Sequence, residues 1–384
     1  MLDIIDSEKC FSRDIEPYTL IEGEFDVCEP YFRPKKESTE PPKKRKKTVP
    51  KAPSVADVET QKRHEEIRPN LALCLEQIES IWPESWKQIK SPRTINGVEA
   101  ETIDFPSIQT MVEMARGKFG QNDDDDDEDS AEYNLSATVI TDLDMFSIFN
   151  LICINAESTL KLLQITPACQ YIIPPKSSFL MGSIADSLSQ LGNYVNRKGG
   201  ADLIVMDPPW PNKSVSRSSH YETQDIYDLY SIPISQMMAS KDCIVAIWVT
   251  NKPKFRNFIL NKLFPAWGLV CVSEWAWLKV TTQAECIFPL DSMHKKPYEQ
   301  LILGRPKAIT QLGTVPMHHT IVSIPSIRHS RKPPLEDVLK PYLTDTSDPI
   351  QVELFARCLT PGWISWGNEC LKFQHLNYFD KKTE

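Results

Sequence analysis

The stretch ADLIVMDPPWP, residues Ala201 to Pro211, sets the polar tetrapeptide Asp207-Pro208-Pro209-Trp210 at the end of a short apolar run. Leu203-Ile204-Val205-Met206 is apolar throughout with β-branched residues at its centre, as in a strand buried on both faces of a parallel sheet. Ligands of such sheets bind beyond the carboxyl ends of the strands. Two consecutive prolines fix φ and remove two backbone donors, which leaves carbonyl oxygens that only accept. Asp207 adds a further acceptor and Trp210 a wide aromatic face.

Acceptors beside a flat ring suit a planar ligand carrying an exocyclic NH2, such as adenine, and the chemistry inferred is methylation of that nitrogen. An aryl amine is a poor nucleophile because its lone pair is delocalised into the ring. Holding one N–H on the Asp207 carboxylate and the other on a proline carbonyl stabilises the positive charge that grows as the nitrogen attacks. It also aims the lone pair. The alternative is a rigid turn after a core strand and nothing more.

The surrounding pattern repeats the strand. Residues 243–250 form a second buried run, Pro253 opens a helix through Leu263, and residues 269–278 give a third strand. Strand, helix, strand in that order implies a right-handed parallel crossover. Further strands are predicted at 298–303, 321–324 and 352–357, with a helix over 335–342. The fold class is therefore α/β, a doubly wound, Rossmann-like and mostly parallel sheet over residues 175–375, with a small helical N-terminal unit.

That unit is assigned to residues 55–120. Leu71, Leu73, Cys74, Leu75, Ile78 and Ile81 mark an apolar stripe on a helix ended by Pro83, and a second helix is predicted over 108–119. Residues 1–54 read as a disordered tail, 121–132 as an acidic disordered loop, 133–174 as a connecting segment packing on the catalytic domain, and 376–384 as a second tail. Pro41-Pro42-Lys43-Lys44-Arg45-Lys46-Lys47 looks like a nuclear import signal, which predicts a nuclear protein; a solvated basic tail is the plainer reading.

The net charge of −9 misleads about partners, because Asp123 to Asp129 concentrate seven acids in one patch while the chain from Met181 onward carries about +3. Ten cysteines occur without a CxxC pair, which argues against a zinc module or a disulfide framework. No apolar run approaches a membrane span, and the N-terminus resembles neither a signal nor a transit peptide, so a soluble intracellular protein is expected. No G-x-G-x-x-G occurs, which counts against a dinucleotide cofactor.

Asp207-Pro208-Pro209-Trp210 after an apolar strand resembles the signature of adenine-N6 methyltransferases that use S-adenosylmethionine, specifically the eukaryotic messenger-RNA adenine methyltransferase family. Three later elements in the family's order add to the likeness: Arg331-Lys332-Pro333 within residues 328–334, Glu353-Leu354-Phe355-Ala356-Arg357, and Gly362-Trp363 with Gly367-Asn368. Pro174-Pro175-Lys176-Ser177-Ser178-Phe179 resembles the lead-in segment of one group within the family. The resemblance spans roughly residues 172–371, about half the chain.

It implies S-adenosylmethionine as cofactor and Asp207, Pro208, Pro209 and Trp210 as the catalytic residues. Ser183 and Ile184 would meet the donor's adenine and Lys332 its carboxylate. Glu353 would take the ribose hydroxyls, as acids at strand ends do in nucleotide-binding folds. Arg357, Asn368 and Glu369 would complete that end, with Glu369 standing where the messenger-RNA enzyme has a glutamine and Cys358-Leu359-Thr360 where it has Pro-His-Asn. A structural ion pair between Glu353 and Arg357 is the plainer reading of those two.

On the substrate side, Lys213, Arg217 and Tyr221 lie in the loop leaving the catalytic strand, Trp277 and Lys279 match a Trp-x-Lys at the family's substrate gate, and Lys295 and Lys296 are cations beside aromatics. The implied substrate is RNA, in particular 2′-O-methyladenosine of U2 small nuclear RNA, with DNA adenine as the runner-up. A catalytically inactive nucleic-acid-binding scaffold is the rival from another class, and a nucleotide hydrolase is disfavoured by the lack of a P-loop. The helical region suggests a monomer that needs no obligate protein partner.

Overall fold

In the computed structural model, Leu203–Met206 forms β9 and Ile244–Val249 forms β10, paired in parallel with Val205 opposite Ala246 and every residue of both strands buried. The structure describes residues 1–31, 54–91, 132–145, 147–167, 169–211, 225–238, 242–292, 295–307, 315–328, 331–344 and 347–382. The predicted helix over 108–119, the basic run at 41–47 and the acid run at 123–129 lie outside them.

Around β9 and β10 stand β1 (Leu2–Ile4), β3 (Glu132–Asn134), β5 (Ile152–Ile154), β8 (Ser178–Met181), β11 (Leu269–Lys279), β12 (Tyr298–Pro306), β13 (Thr320–Ser323), β14 (Gln351–Leu354) and β15 (Trp363–Gly367). They make one 11-stranded sheet in the order β1-β13-β11-β12-β10-β9-β14-β15-β8-β5-β3. Only β12, β5 and β3 run against the rest, so the sheet is mostly parallel.

Side chains alternate between the two faces. Ile204, Met206, Val245 and Ile247 pack on one face against Leu188, Leu191 and Val195 of the helix Ile184–Arg197. Leu203, Val205, Ala246 and Trp248 face the other, beneath Leu335 and Leu339. Both faces are covered, as a doubly wound sheet requires.

Two predicted tails belong to the fold. β1 extends the sheet in parallel with β13, Leu2 opposite Thr320, and β2 (Tyr18–Leu20) pairs with β16 (Phe379–Lys381). The expectation of disorder over 1–54 is therefore corrected for residues 1–31, and that of a tail over 376–384 for Leu376–Lys381. Their apolar residues show no period because each is buried by a distant partner: Ile15, Leu20 and Phe25 share a core with Val322, Tyr378 and Phe379.

The connecting segment is also more than packing. β3 and β5 complete the sheet edge, while β4 (Val139–Ile140), β6 (Lys161–Thr166) and β7 (Cys169–Ile173) form a separate small sheet.

The helix Val55–Ile81 forms as expected, opened by a capping box between Ser54 and Asp57. Its buried face is narrower than the sequence stripe. Leu71, Cys74 and Ile78 face the domain, whereas Leu73 and Ile81 are exposed. Arg63 pairs with Glu274 at 2.9 Å and His64 Nδ1 meets the Tyr298 hydroxyl at 3.2 Å, so the helix is fixed to β11 and β12. No helix among the described residues is long and apolar enough to cross a membrane.

Candidate active site

The ends of β9, β14, β15, β8, β11 and β13 all reach the same edge of the sheet, and antiparallel β12 begins there. Asp207 leaves β9 at that edge. Its Oδ2 lies 3.1 Å from Lys332 Nζ and 3.6 Å from Arg357 Nη1. Lys332 also sits 2.9 Å from Glu299 Oε2, and Glu299 is bonded in turn by Lys279. On the other side Arg357 pairs with Glu369 at 3.4 Å, and Glu369 with Lys372 at 3.1 Å.

The result is an alternating row, Lys279, Glu299, Lys332, Asp207, Arg357, Glu369, Lys372, with Asp207 at its centre. Burial would raise the Glu299 carboxyl, but Lys332 and Lys279 outweigh it and hold it at about 2. Burial works against the Lys332 ammonium, and Asp207 and Glu299 together raise its pKa.

Glu353 lies opposite Val205 on β14 and lines the same pocket as Asp207, Lys332 and Arg357. Burial, and then the charge of Asp207, push its carboxyl up to about 8, with Arg357 pulling the other way. Directly after β14 the chain turns through Phe355 at φ 61°, which brings Arg357 back to the site. Arg357 does more than pair with Glu353, because it also reaches Asp207 at 3.6 Å and Glu369 at 3.4 Å.

The Asp-Pro-Pro-Trp turn is held by Trp210. Its backbone N–H donates to the Pro208 carbonyl at 2.8 Å, and its indole N–H to the Trp248 carbonyl at 2.8 Å. The Pro208 oxygen keeps a second lone pair. The Trp210 ring is 8% exposed and leans on Phe255 with centroids 4.9 Å apart. Packing and the indole bond use most of the ring, so the wide aromatic face read from the sequence is largely buried.

At the end of β8, Ser183 caps the helix Ile184–Arg197, its hydroxyl engaged with Asp186 at 2.6 Å. Ile184 is half-buried beside it, and Asn368 is half-buried after β15. A Cβ at Gly182 would lie 2.2 Å from Ser187 Oγ and 2.8 Å from Asn150 Oδ1, so only glycine fits this turn.

The substrate-side residues are dispersed. Trp277 is buried, donating its indole N–H to Ser323 Oγ at 2.8 Å, with the Lys279 ammonium 4.3 Å above its ring. It supports Lys279 and offers no open stacking face. Lys296 donates to the Ser292 carbonyl at 2.7 Å and reaches Gln61 of the helix Val55–Ile81 at 3.4 Å, while Lys295 is exposed over Phe288. Lys213, Arg217 and Tyr221 lie outside the described residues.

Glu299 escaped the sequence reading. Its only local signal is an acid at the head of an apolar strand, after Pro297 and Tyr298.

The arrangement resembles known proteins in sequence. The MT-A70 family profile matches residues 201–369, which hold Asp207, Glu299, Lys332, Glu353 and Arg357. The human N(6)-adenine-specific methyltransferase METTL4 is 38% identical over 88% of this chain and 71% of its own length. The N6-methyladenosine RNA methyltransferase MTA1 of Pyricularia oryzae is 40% identical over 53% of this chain and 55% of its own. A Caenorhabditis elegans protein called DNA N6-methyl methyltransferase is 33% identical over 55% and 56%. A sheet edge that gathers Asp207, Lys332 and Glu353, together with a relative matched along most of both chains, places this protein in the MT-A70 family.

Proposed function

We propose that the protein is an S-adenosylmethionine-dependent methyltransferase that modifies N6 of adenine in a nucleic acid. The observation that carries this reading is Asp207, held at the carboxyl end of β9 between Lys332 and Arg357, with the Glu353 carboxyl in the same pocket. The residues present suit the donor's chemistry. A zwitterionic amino-acid end calls for one cation and one anion, which Lys332 and Asp207 supply; a ribose diol calls for an acceptor, which Glu353 supplies. Ile184, after β8, would meet the adenine ring, and Asn368, after β15, would complete the ribose end. When bound, S-adenosylmethionine supplies a methyl group activated on a sulfonium.

The chain's own residues handle the nitrogen. The Asp207 carboxylate accepts one N–H of the target amine and the Pro208 carbonyl the other, so charge that develops on N6 meets oxygens already in place. Trp210, locked through Trp248, keeps that turn from relaxing. A target adenine must be unpaired or extruded for its amine to reach this turn.

RNA carrying 2′-O-methyladenosine, as in U2 small nuclear RNA, is the proposed substrate; RNA as the class is supported by the name of the Pyricularia relative, and the finer target by the sequence resemblance alone. DNA adenine is the second reading, favoured by the name of the nematode relative. The proposed site of action is the nucleus, on the strength of the basic run at 41–47. The proposed state is a monomer, tested by light scattering behind size exclusion, where an obligate dimer would overturn it.

The deciding experiment is methyl transfer from labelled S-adenosylmethionine by the wild type and Asp207→Ala. Both would be offered RNA with 2′-O-methyladenosine, plain RNA, and single- and double-stranded DNA. Transfer to the 2′-O-methylated RNA, absent in the variant, supports the proposal. Preference for DNA keeps the mechanism and moves the substrate. Absence of both transfer and donor binding would sink the enzyme in favour of a scaffold.

A further inference from the structure

Residues 1–31 lie far outside the segment matched by the family profile, yet they reach the catalytic edge. Phe11 lines the same pocket as Asp207, Lys332 and Glu353. Deeper in, the Glu24 carboxylate is fully buried and grips the chain on both sides of the segment that leads to Lys332. Its Oε2 accepts from Arg328 Nε at 2.8 Å, and its Oε1 accepts from Ser326 Oγ at 3.0 Å and faces Arg331 Nη1 at 3.3 Å. Its backbone carbonyl accepts from the Ile327 N–H at 2.9 Å.

The two guanidinium groups are fixed from their other sides by rings. Arg331 lies 4.1 Å from the Phe11 centroid and 5.0 Å from Phe373, and Arg328 lies 4.4 Å from Tyr378. Arg328 and Arg331 are 6% and 5% exposed, so one buried acid holds two buried cations. An apolar cluster would cost less desolvation than such a triad, and breaking it by removing one member exposes the full penalty. What the triad provides is direction. Lys332 is the next residue after Arg331, and its ammonium must stand within reach of both Asp207 and Glu299.

We propose that Glu24 is a positioning residue for the donor site: through Arg328 and Arg331 it sets the backbone from which Lys332 projects, so that residues 1–31 complete a site whose other parts lie beyond residue 180. The proposal rests on the reading of Lys332 as the contact for the donor's carboxylate. It predicts a loss chiefly in donor affinity, since Glu24 acts on Lys332 and reaches Asp207 only through it, while the Asp-Pro-Pro-Trp turn is held separately by Trp210.

The test uses the full chain as wild type, Glu24→Gln, Lys332→Met and the double variant, with S-adenosylmethionine and S-adenosylhomocysteine titrated by calorimetry and turnover measured at saturating donor. Glu24→Gln is expected to weaken both ligands about tenfold, the scale of losing a partner behind a binding group, and to raise the donor KM while kcat holds. In the double variant the affinity should match Lys332→Met within about twofold, because the two act as one unit. Additive losses, or unchanged affinity in a folded Glu24→Gln protein, overturn the proposal. Unchanged affinity in Lys332→Met would instead overturn the reading of Lys332 itself, and the proposal with it. Should Glu24→Gln fail to fold, Arg331→Met keeps an apolar chain between Phe11 and Phe373 and leaves Arg328 on Glu24; the same rise in KM without loss of kcat is then expected, and unchanged KM refutes.

Discussion

Replacing Glu353 by glutamine should make the empty protein more stable and a poorer binder of its donor. The carboxyl sits at about 8 in the folded chain against an ordinary 4.5 because of burial and the neighbouring Asp207 charge. A raised carboxyl is neutral in the folded state and ionised in the unfolded one over the interval between those values. Stability is therefore full below about pH 4.5, falls as pH rises toward 8, and levels off above it.

At about 1.4 kcal/mol per tenfold in proton affinity, the penalty carried at pH 7 is about 3 kcal/mol, and water entering the pocket reduces this toward about 1. Glu353→Gln removes the titration, so its advantage should be small at pH 4.5 and grow through pH 8. Urea unfolding of wild type and variant across that range measures the difference. Donor affinity, read by calorimetry, should fall about ten- to a hundredfold in the variant with the loss of a charged acceptor. In the wild type it should rise with pH as the carboxylate forms. A stability difference independent of pH, or a variant that binds donor as the wild type does, would refute the assignment of Glu353 as a strained ribose acceptor.

Glu299→Gln should act in the opposite sense. Its carboxyl, held at about 2, contributes stability that is complete above about pH 4.5 and lost as pH falls toward 2. The variant should lose about 2 kcal/mol at pH 7 with Lys279 and Lys332 left facing an amide, and the gap in urea midpoints should close in acid. Trp210→Phe strands the Trp248 carbonyl and should cost about 1 to 2 kcal/mol in chemical denaturation; an unchanged midpoint would show that this bond does not hold the turn. Gly182→Ala forces a Cβ to 2.2 Å from Ser187 Oγ, the group that accepts the Trp366 indole N–H at 2.9 Å. A loss of about 1 to 3 kcal/mol in a thermal melt is expected, and a neutral effect would count against the tight β8 turn.

The catalytic strand was legible because burial on both faces forces a local signature: β9 and β10 are continuous apolar runs, and any chain that crosses a two-layered core must write them so. The turn chemistry of Asp207-Pro208-Pro209-Trp210 was equally local, as were Lys332 and Glu353 at the ends of their segments. Less of the helix Val55–Ile81 could be read. Its existence follows from its cap and period, but which of Leu71, Leu73, Cys74, Leu75, Ile78 and Ile81 turn inward depends on how it lies against β11 and β12.

By itself, then, the sequence determined the α/β class and the position of the Asp-Pro-Pro-Trp turn, because backbone period and proline geometry act between near neighbours. Tertiary structure alone decided that residues 1–31 belong to the domain, that Trp210 and Trp277 are buried, and that Glu299 meets Lys332 while Glu24 meets Arg328 and Arg331. Charges separated by tens to hundreds of residues meet only when strands are laid side by side. A carboxylate's role is set by the cations it meets there, which no local pattern records.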